Sequence, residues 1–104
     1  MMQITIPDLL KINPNNIIDI RSKSKYLSGH ILNARSVEAF QLVNNPNYYL
    51  NRDETYYIYC DSGFKSKNLT SFLNNLGYHT IHIIGGYNAY LYQSWFYIIM
   101  CYRI

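Results

Sequence analysis

The chain has 104 residues, which is enough for one hydrophobic core and too few for two domains. Hydrophobic residues make up 49% and charged residues 14% of the sequence, a globular composition that excludes extended disorder. The net charge of +3 is small, and the basic cluster of Arg21, Lys23 and Lys25 is short, so the charge pattern does not support nucleic-acid binding.

The first half of the chain alternates short strands with short helices. Residues 3–6 predict a strand, and Pro7 then begins a helix with Leu9, Leu10 and Ile12 as its apolar face. The next predicted elements are a buried strand at 17–20, a helical turn at 25–27, a strand at 35–37, a helix through Phe40, Leu42 and Val43, and a surface loop at 44–53. Asp19 is the one charged residue of the buried strand and therefore needs a partner.

The second half repeats the alternation with longer elements. The predicted elements are a strand at 56–59, a helix carrying Leu69, Phe72, Leu73 and Leu76 that ends at Gly77, a strand at 78–84, a turn at Gly85 and Gly86, and a helix at 87–93. This order predicts a three-layer α/β domain, in which helices flank a central, mostly parallel, five-stranded sheet. We assign the domain to residues 1–94 and a separate apolar tail to residues 95–104.

A cysteine marks the junction between the strand at 56–59 and the helix that follows it. Cys60 therefore falls at the carboxyl end of a strand, where parallel α/β sheets place their chemistry. The N–H groups of the loop and the positive end of a helix beginning near Ser66 would stabilise an anionic sulfur over a neutral thiol. A buried, inert thiol is the alternative, but the loop with Gly63 favours a nucleophile.

Three ordered motifs from Ile4 to about Tyr90 resemble those of the rhodanese-like sulfurtransferase family. The first comprises residues 18–21, Tyr26, residues 29–31 and Ala34; the second is residues 59–66; the third comprises residues 76–78 and 84–90. Together, motifs in this order and at this spacing make a strong signal, although each alone would be weak.

The resemblance implies sulfur transfer through a persulfide on Cys60, with no cofactor. The sulfur would pass from a small donor such as thiosulfate to cyanide, to a low-molecular-weight thiol or to a thioredoxin-like protein. Residues of the loop would bind the substrate, and three other residues would support its wall. The loop residues are Asp61, Ser62, Gly63, Phe64, Lys65 and Ser66, and the supporting residues are Asp19, Arg21 and His30.

The chain departs from the family pattern at several positions. Lys65 stands where many members have Arg, and an ammonium group lacks the planar fork of a guanidinium. Asp61 is expected to cancel part of the charge of Lys65 and Lys67, and Tyr90 stands where Trp is common.

Two other functions are weighed against sulfur transfer. A phosphatase or arsenate reductase would need a longer loop and an arginine, so this reading is disfavoured. A noncatalytic sulfur-carrier or interaction module stays open, and turnover with thiosulfate would distinguish it from an enzyme.

The tail carries a run of apolar residues from Trp95 to Tyr102. It is too short to span a bilayer, for which about twenty residues are needed. We expect an association surface, which would make a homo-oligomer, or a flap packed on the domain. Cys101 within it is expected to be structural, with a resolving role as the alternative.

Neither a metal site nor export is predicted. Cys60 and Cys101 form neither a CxxC pair nor a zinc-spaced cluster, and His79 and His82 lack a third ligand nearby. Residues 1–7 lack the features of a signal peptide, so we expect a cytoplasmic protein.

Overall fold

The structure, a computed structural model, describes the backbone of residues 2–102 and the side chains of residues 2–95, 99 and 100. Its strands form one parallel sheet in the order β1-β5-β4-β2-β3. The strands are β1 (Gln3–Ile4), β2 (Ile17–Asp19), β3 (Arg35–Ser36), β4 (Thr55–Tyr59) and β5 (His79–Ile83). The helices are α1 (Ile6–Ile12), α2 (Lys23–Ser28), α3 (Ala39–Asn44), α4 (Pro46–Tyr49), α5 (Phe64–Asn75) and α6 (Gly86–Tyr102). The predicted α/β fold with a five-stranded sheet is confirmed.

Strand β4 lies at the centre of the sheet and determines the position of Cys60. It pairs with β2, where Asp19 lies opposite Tyr59, and with β5, where His82 lies opposite Ile58. Because side chains alternate along a strand, Tyr59 packs in one core cluster while Ile58 and Cys60 pack in the other. Cys60, the residue that follows β4, therefore lies between the carboxyl ends of β2 and β5.

Helix α1 begins at Ile6, one residue before the predicted start at Pro7, and its buried face is narrower than expected. Thr5 caps the first turn by accepting from the N–H of Asp8, and Asn13 ends the helix with a left-handed φ of 45°. Leu9 is buried, whereas Leu10 and Ile12 are exposed, so their prediction as part of the core face was wrong. A helix of only two turns covers the sheet with residues one turn apart, here Ile6 and Leu9.

The buried faces of α3 and α5 are also narrower than the sequence predicts. Leu42 is buried on α3 while Phe40 and Val43 are exposed, and Leu69 and Leu73 are buried on α5. Phe72 on α5 and Leu76 at its C-terminal cap, which the helical spacing groups with Leu69 and Leu73, are exposed at 41% and 42%. Residues 44–53 are not one continuous loop, because Pro46 begins the short helix α4 and Leu50 after it is buried.

Helix α6 continues beyond the predicted end at residue 93. It runs as one helix from Gly86 to Tyr102, so residues 95–102 extend the last helix of the domain. The side chain of Cys101 lies outside the described residues. Within the part of the chain that the structure describes, no helix combines the length and hydropathy needed to cross a membrane.

Candidate active site

The Cys60 sulfur lies beneath the loop that connects β4 to α5. It is buried and accepts hydrogen bonds from the N–H of Gly63 at 3.2 Å and of Ser66 at 3.4 Å. The Ser66 N–H belongs to the first turn of α5, whose N–H groups have no partner within the helix. Two backbone donors are thus directed at one sulfur atom.

The loop is tight because glycine occupies its crowded positions. Gly63 has φ of +102°, and a Cβ at this position would lie 3.1 Å from Gly85 N and 3.2 Å from His82 Cε1. At Gly86 the backbone approaches the Cys60 carbonyl so closely that a side chain would collide with it. The N–H of Tyr87 donates to that carbonyl at 2.9 Å, so the start of α6 fixes the loop from behind.

Behind the sulfur lies a buried polar pair that joins α5 to β5. The Ser66 hydroxyl is 3.5 Å from the Cys60 sulfur, 3.3 Å from the Gly63 carbonyl and 3.0 Å from His82 Nδ1. Both Ser66 and His82 are buried. Burial, together with the charge of Lys67, lowers the pKa of His82.

Sequence reasoning missed His82 as part of the site. The sequence raises His82 only together with His79, as a possible metal ligand on a predicted strand, although a spacing of three residues places the two on opposite faces of that strand. The missing information was the strand order: β5 lies beside β4, so the end of β5 reaches the cysteine loop. A histidine at the carboxyl end of a strand was the available signal.

A buried ion pair forms the wall beside the loop. Arg21 donates to the Asp19 carboxylate through Nε at 3.1 Å and Nη2 at 2.7 Å. The Tyr59 hydroxyl donates to Asp19 at 2.7 Å and accepts from the N–H of Ile31 at 3.0 Å. Burial and the hydrogen bond to Asp19 both raise the pKa of Tyr59, so the hydroxyl stays a donor. Asp19 thus has the partners that its burial requires.

Arg21 also connects this wall to two other parts of the fold. Its Nη2 donates to the Gly29 carbonyl at 2.7 Å, and its guanidinium lies 4.1 Å from the centre of the Tyr87 ring. The arginine therefore links the first and third sequence motifs around the loop.

The Asp61 carboxylate faces cations other than the expected ones. It lies 2.7 Å from Lys25 Nζ and 3.6 Å from Arg21 Nη1. Among the described residues, its ion-pair partners come from α2 and the end of β2, and Lys65 and Lys67, whose charge it is expected to offset, form no direct ion pair with it. The hydrogen bond from Lys25 lowers the pKa of Asp61, although burial acts in the opposite direction.

His30 lies at the surface. Its Nδ1 is 2.8 Å from the Tyr26 carbonyl and its ring stacks on that of Tyr26 at 3.9 Å. These contacts fix the segment after α2. The N–H of the next residue, Ile31, donates to the Tyr59 hydroxyl. The structure thus places His30 beside the supporting wall and apart from the sulfur.

Two adjoining cavities open at Cys60. The larger, of about 320 Å³, extends toward α2 and α3 and has Phe40 on its rim, and the smaller, of about 230 Å³, lies beside Ser62 and Phe64. Cys60, Asp61 and Lys65 line both cavities. Lys65 is exposed and belongs to no ion pair among the described side chains, so it can face an anion. Over the same residues, His, Cys, Asp and Glu form no group suited to a metal ion.

Comparison with known proteins agrees with this geometry. The family described as Rhodanese-like domain matches residues 6–93. A crystal structure from Staphylococcus saprophyticus is 34% identical over 83% of this chain and 89% of its own, with a TM-score of 0.75. A rhodanese-like domain protein from Staphylococcus aureus is 29% identical over 86% of this chain and 90% of its own, with a TM-score of 0.78.

The fold also extends to a more distant protein. A rhodanese-related protein from Thermoplasma volcanium shares 24% identity over 89% of this chain and 93% of its own, with a TM-score of 0.82. No curated protein matches the chain.

Proposed function

Because the chain belongs to the family of rhodanese-like domains, we propose that it is a sulfurtransferase that carries sulfane sulfur as a persulfide on Cys60. The donor is a small anion such as thiosulfate, and the acceptor is cyanide, a low-molecular-weight thiol or a thioredoxin-like protein. One observation carries the proposal: the Cys60 sulfur accepts hydrogen bonds from two backbone N–H groups, and Cys60 lines two cavities.

In the first step the Cys60 thiolate attacks the outer sulfur of thiosulfate. The S–S bond of the donor breaks, and sulfite leaves with its electron pair while a new S–S bond forms on Cys60. In the second step an acceptor thiolate or cyanide attacks the outer sulfur. The Cys60 thiolate is then the leaving group, and the acceptor keeps the sulfur as a persulfide or as thiocyanate.

Lys65 is the cation that suits an anionic donor. It lies beside both cavities, while Asp61 is balanced by Lys25 and Arg21 and Glu38 adds a carboxylate to the larger cavity alone. An ammonium group attracts thiosulfate as a point charge and lacks the bidentate fork of arginine, so we expect weak thiosulfate binding. The reaction also needs reduced thiols, a condition that the cytoplasm supplies.

A noncatalytic sulfur carrier or interaction module is the second candidate. The exposed apolar residues Leu91, Tyr92 and Trp95 on α6 favour it, because they offer a surface for a partner. Both candidates form the persulfide, but only the enzyme turns over repeatedly with thiosulfate and cyanide.

An intact-mass measurement after incubation with thiosulfate tests the proposal. We expect each chain to gain the mass of one sulfur atom and to lose it on treatment with a reducing thiol. Cys101→Ser is the matched control and should gain the same mass. An unchanged mass in the parent protein, or a gain that persists in Cys60→Ser, would contradict the proposal. Thiocyanate formation over many cycles then separates the enzyme from the carrier.

A further inference from the structure

A hydroxyl and an imidazole lie in sequence behind the Cys60 sulfur, and the reaction described above uses neither. The Ser66 hydroxyl is 3.5 Å from the sulfur and 3.0 Å from His82 Nδ1. Ser66 and His82 are both buried, so water does not compete freely for these contacts.

The Ser66 hydroxyl has one proton and three neighbours that can accept it. These are the Gly63 carbonyl at 3.3 Å, His82 Nδ1 and the Cys60 sulfur. If the neutral imidazole carries its proton on Nε2, Nδ1 accepts the hydroxyl proton and the sulfur receives none. If the proton is on Nδ1, the imidazole donates to the serine oxygen and the hydroxyl proton is free to turn toward the sulfur.

We infer that His82 is a positioning residue that sets the direction of the Ser66 hydroxyl according to the charge of the Cys60 sulfur. With a neutral thiol, S–H donates to the serine oxygen and the hydroxyl donates to Nδ1. With an anionic sulfur the chain reverses: Nδ1–H donates to the serine oxygen and the hydroxyl donates to the sulfur. The thiol proton leaves to solvent, and the imidazole exchanges Nε2–H for Nδ1–H without a net gain of protons.

The surroundings of His82 support a switch between neutral tautomers. Burial and the positive charge of Lys67 disfavour the imidazolium form. Among the described residues, Lys67 is the charged group that acts on the ring, and the Cys60 sulfur is linked to it through Ser66. The residues paired with His82 on the neighbouring strands are the uncharged Gln3 on β1 and Ile58 on β4. Both neutral tautomers of His82 are thus accessible near neutral pH, and the charge on the Cys60 sulfur determines which one is favoured.

This inference rests on the proposed function, in which the charge on the Cys60 sulfur changes twice per cycle. The inner sulfur is anionic before the donor is attacked, neutral in the persulfide, and anionic again when the acceptor removes the outer sulfur. A hydroxyl proton directed at the Cys60 sulfur stabilises the thiolate that attacks the donor. It later stabilises the same thiolate when it leaves the outer sulfur. His82 therefore affects both steps through Ser66, without touching the substrate.

Alkylation of Cys60 by iodoacetamide across a pH series tests the inference without any sulfur donor. Peptide mapping separates Cys60 from Cys101. We expect His82→Leu to slow alkylation near neutral pH by about two- to tenfold, the effect of one hydrogen bond. His82→Asn should restore most of the rate, because an amide can donate to the serine oxygen, and His79→Leu on the same strand is the control.

The combination with Ser66→Ala shows whether His82 acts through the hydroxyl. We expect His82→Leu to add no further loss in the Ser66→Ala background. An equal loss in both backgrounds would overturn the inference, as would a His82→Leu profile identical to that of the parent protein.

Nitrogen NMR of the imidazoles tests the inference in the parent sequence, so the result does not depend on whether the variants fold. At a pH where Cys60 is ionised, alkylation converts an anionic sulfur into a neutral thioether. The nitrogen chemical shifts of His82 should then change from those of the Nδ1–H tautomer toward those of the Nε2–H tautomer. The chemical shifts of His79 should stay unchanged. An unchanged His82 tautomer would overturn the inference. Since neither measurement needs sulfur transfer, a protein inactive with thiosulfate would contradict the proposed function alone.

Discussion

The Asp61 carboxylate lies 2.7 Å from the ammonium group of Lys25, 36 positions earlier in the chain. Arg21 Nη1 lies 3.6 Å from the other carboxylate oxygen. Asp61 therefore ties the cysteine loop to α2 and to the end of β2, and it neutralises cations that would otherwise face the cavity. The carboxylate next to Cys60 in the sequence thus stabilises the loop but weakens the attraction of the cavity for anions.

We expect Asp61→Asn to raise kcat/KM for thiosulfate by about two- to fivefold, since the freed charge of Lys25 then attracts the donor while Arg21 stays paired with Asp19. The gain is modest because Asp61 and Lys25 are partly exposed and their charges are screened. Steady-state kinetics at low salt measure it, and added salt should reduce it. Asp53→Asn, an exposed acid remote from the sulfur, is the control. An equal or lower kcat/KM for Asp61→Asn would show that the loop needs this ion pair more than it needs the positive charge.

Lys65→Ala should lower kcat/KM for thiosulfate more than it lowers the rate of sulfur transfer to a neutral thiol. Lys65 lines both cavities and is exposed, so its charge acts on the anionic donor. Lys65→Arg should exceed the parent with thiosulfate, because a guanidinium can bind two oxygens of the donor. Lys11→Ala, an exposed lysine at the end of α1, controls for net charge. Equal losses with charged and neutral substrates would show that Lys65 supports the loop and does not bind the donor.

Tyr59→Phe should lower the free energy of unfolding by about 1–3 kcal/mol, the cost of unsatisfied buried polar groups. The variant removes the hydroxyl that donates to Asp19 and that accepts from the N–H of Ile31. Urea denaturation measures the change, and Tyr48→Phe, at an exposed tyrosine, is the control. If both variants had the parent's stability, the Asp19 wall would not depend on Tyr59.

Acid stability should depend on His82. Its pKa in the folded protein is lowered by burial and by Lys67, so the unfolded chain binds a proton more readily. The folded state should therefore lose stability as the pH falls from about 6.5, the ordinary histidine value, through the lowered folded pKa. His82→Asn should remove this part of the pH profile. Melting temperatures across that range, with His79→Asn as control, check it; an unchanged slope in His82→Asn would contradict the assigned cause.

The elements that local pattern determines were predictable from sequence. A β-branched and aromatic run followed by Cys60 and Gly63 predicts a strand, a turn and a helix, and the structure has β4 and α5 there. The helix starts two residues before Ser66, at Phe64, because Gly63 with its positive φ allows an immediate turn.

Contacts between distant segments were not predictable in this way. The pairing of Lys25 with Asp61 and the approach of His82 to Ser66 depend on the strand order β5-β4-β2. A single sequence shows which residues share a face of a strand, but it does not show which strands are neighbours. The exposure of Leu10, Phe40 and Phe72 has the same origin, because the width of each helix's buried face depends on what covers it.

The extension of α6 is the part of the structure best suited to self-association. Gly86 to Tyr102 contains no charged residue, and Leu91, Tyr92, Trp95 and Met100 are exposed. Trp95 is 60% exposed, which favours association over a flap packed on the domain. A second copy of the chain offers the same apolar stripe, and pairing would cover both.

We therefore expect the full chain to be a concentration-dependent oligomer and a chain lacking residues 95–104 to be a monomer with unchanged thiosulfate turnover. Trp95→Lys should weaken the oligomer because it places a charge in the paired face, and Tyr48→Lys, at an exposed tyrosine on α4, is the control. Light scattering gives the mass, and thermal melts show whether the shortened domain has lost stability. A monomeric full chain that melts well above the shortened one would instead support packing on the domain. Identical mass and stability in both would show that the extension has neither function.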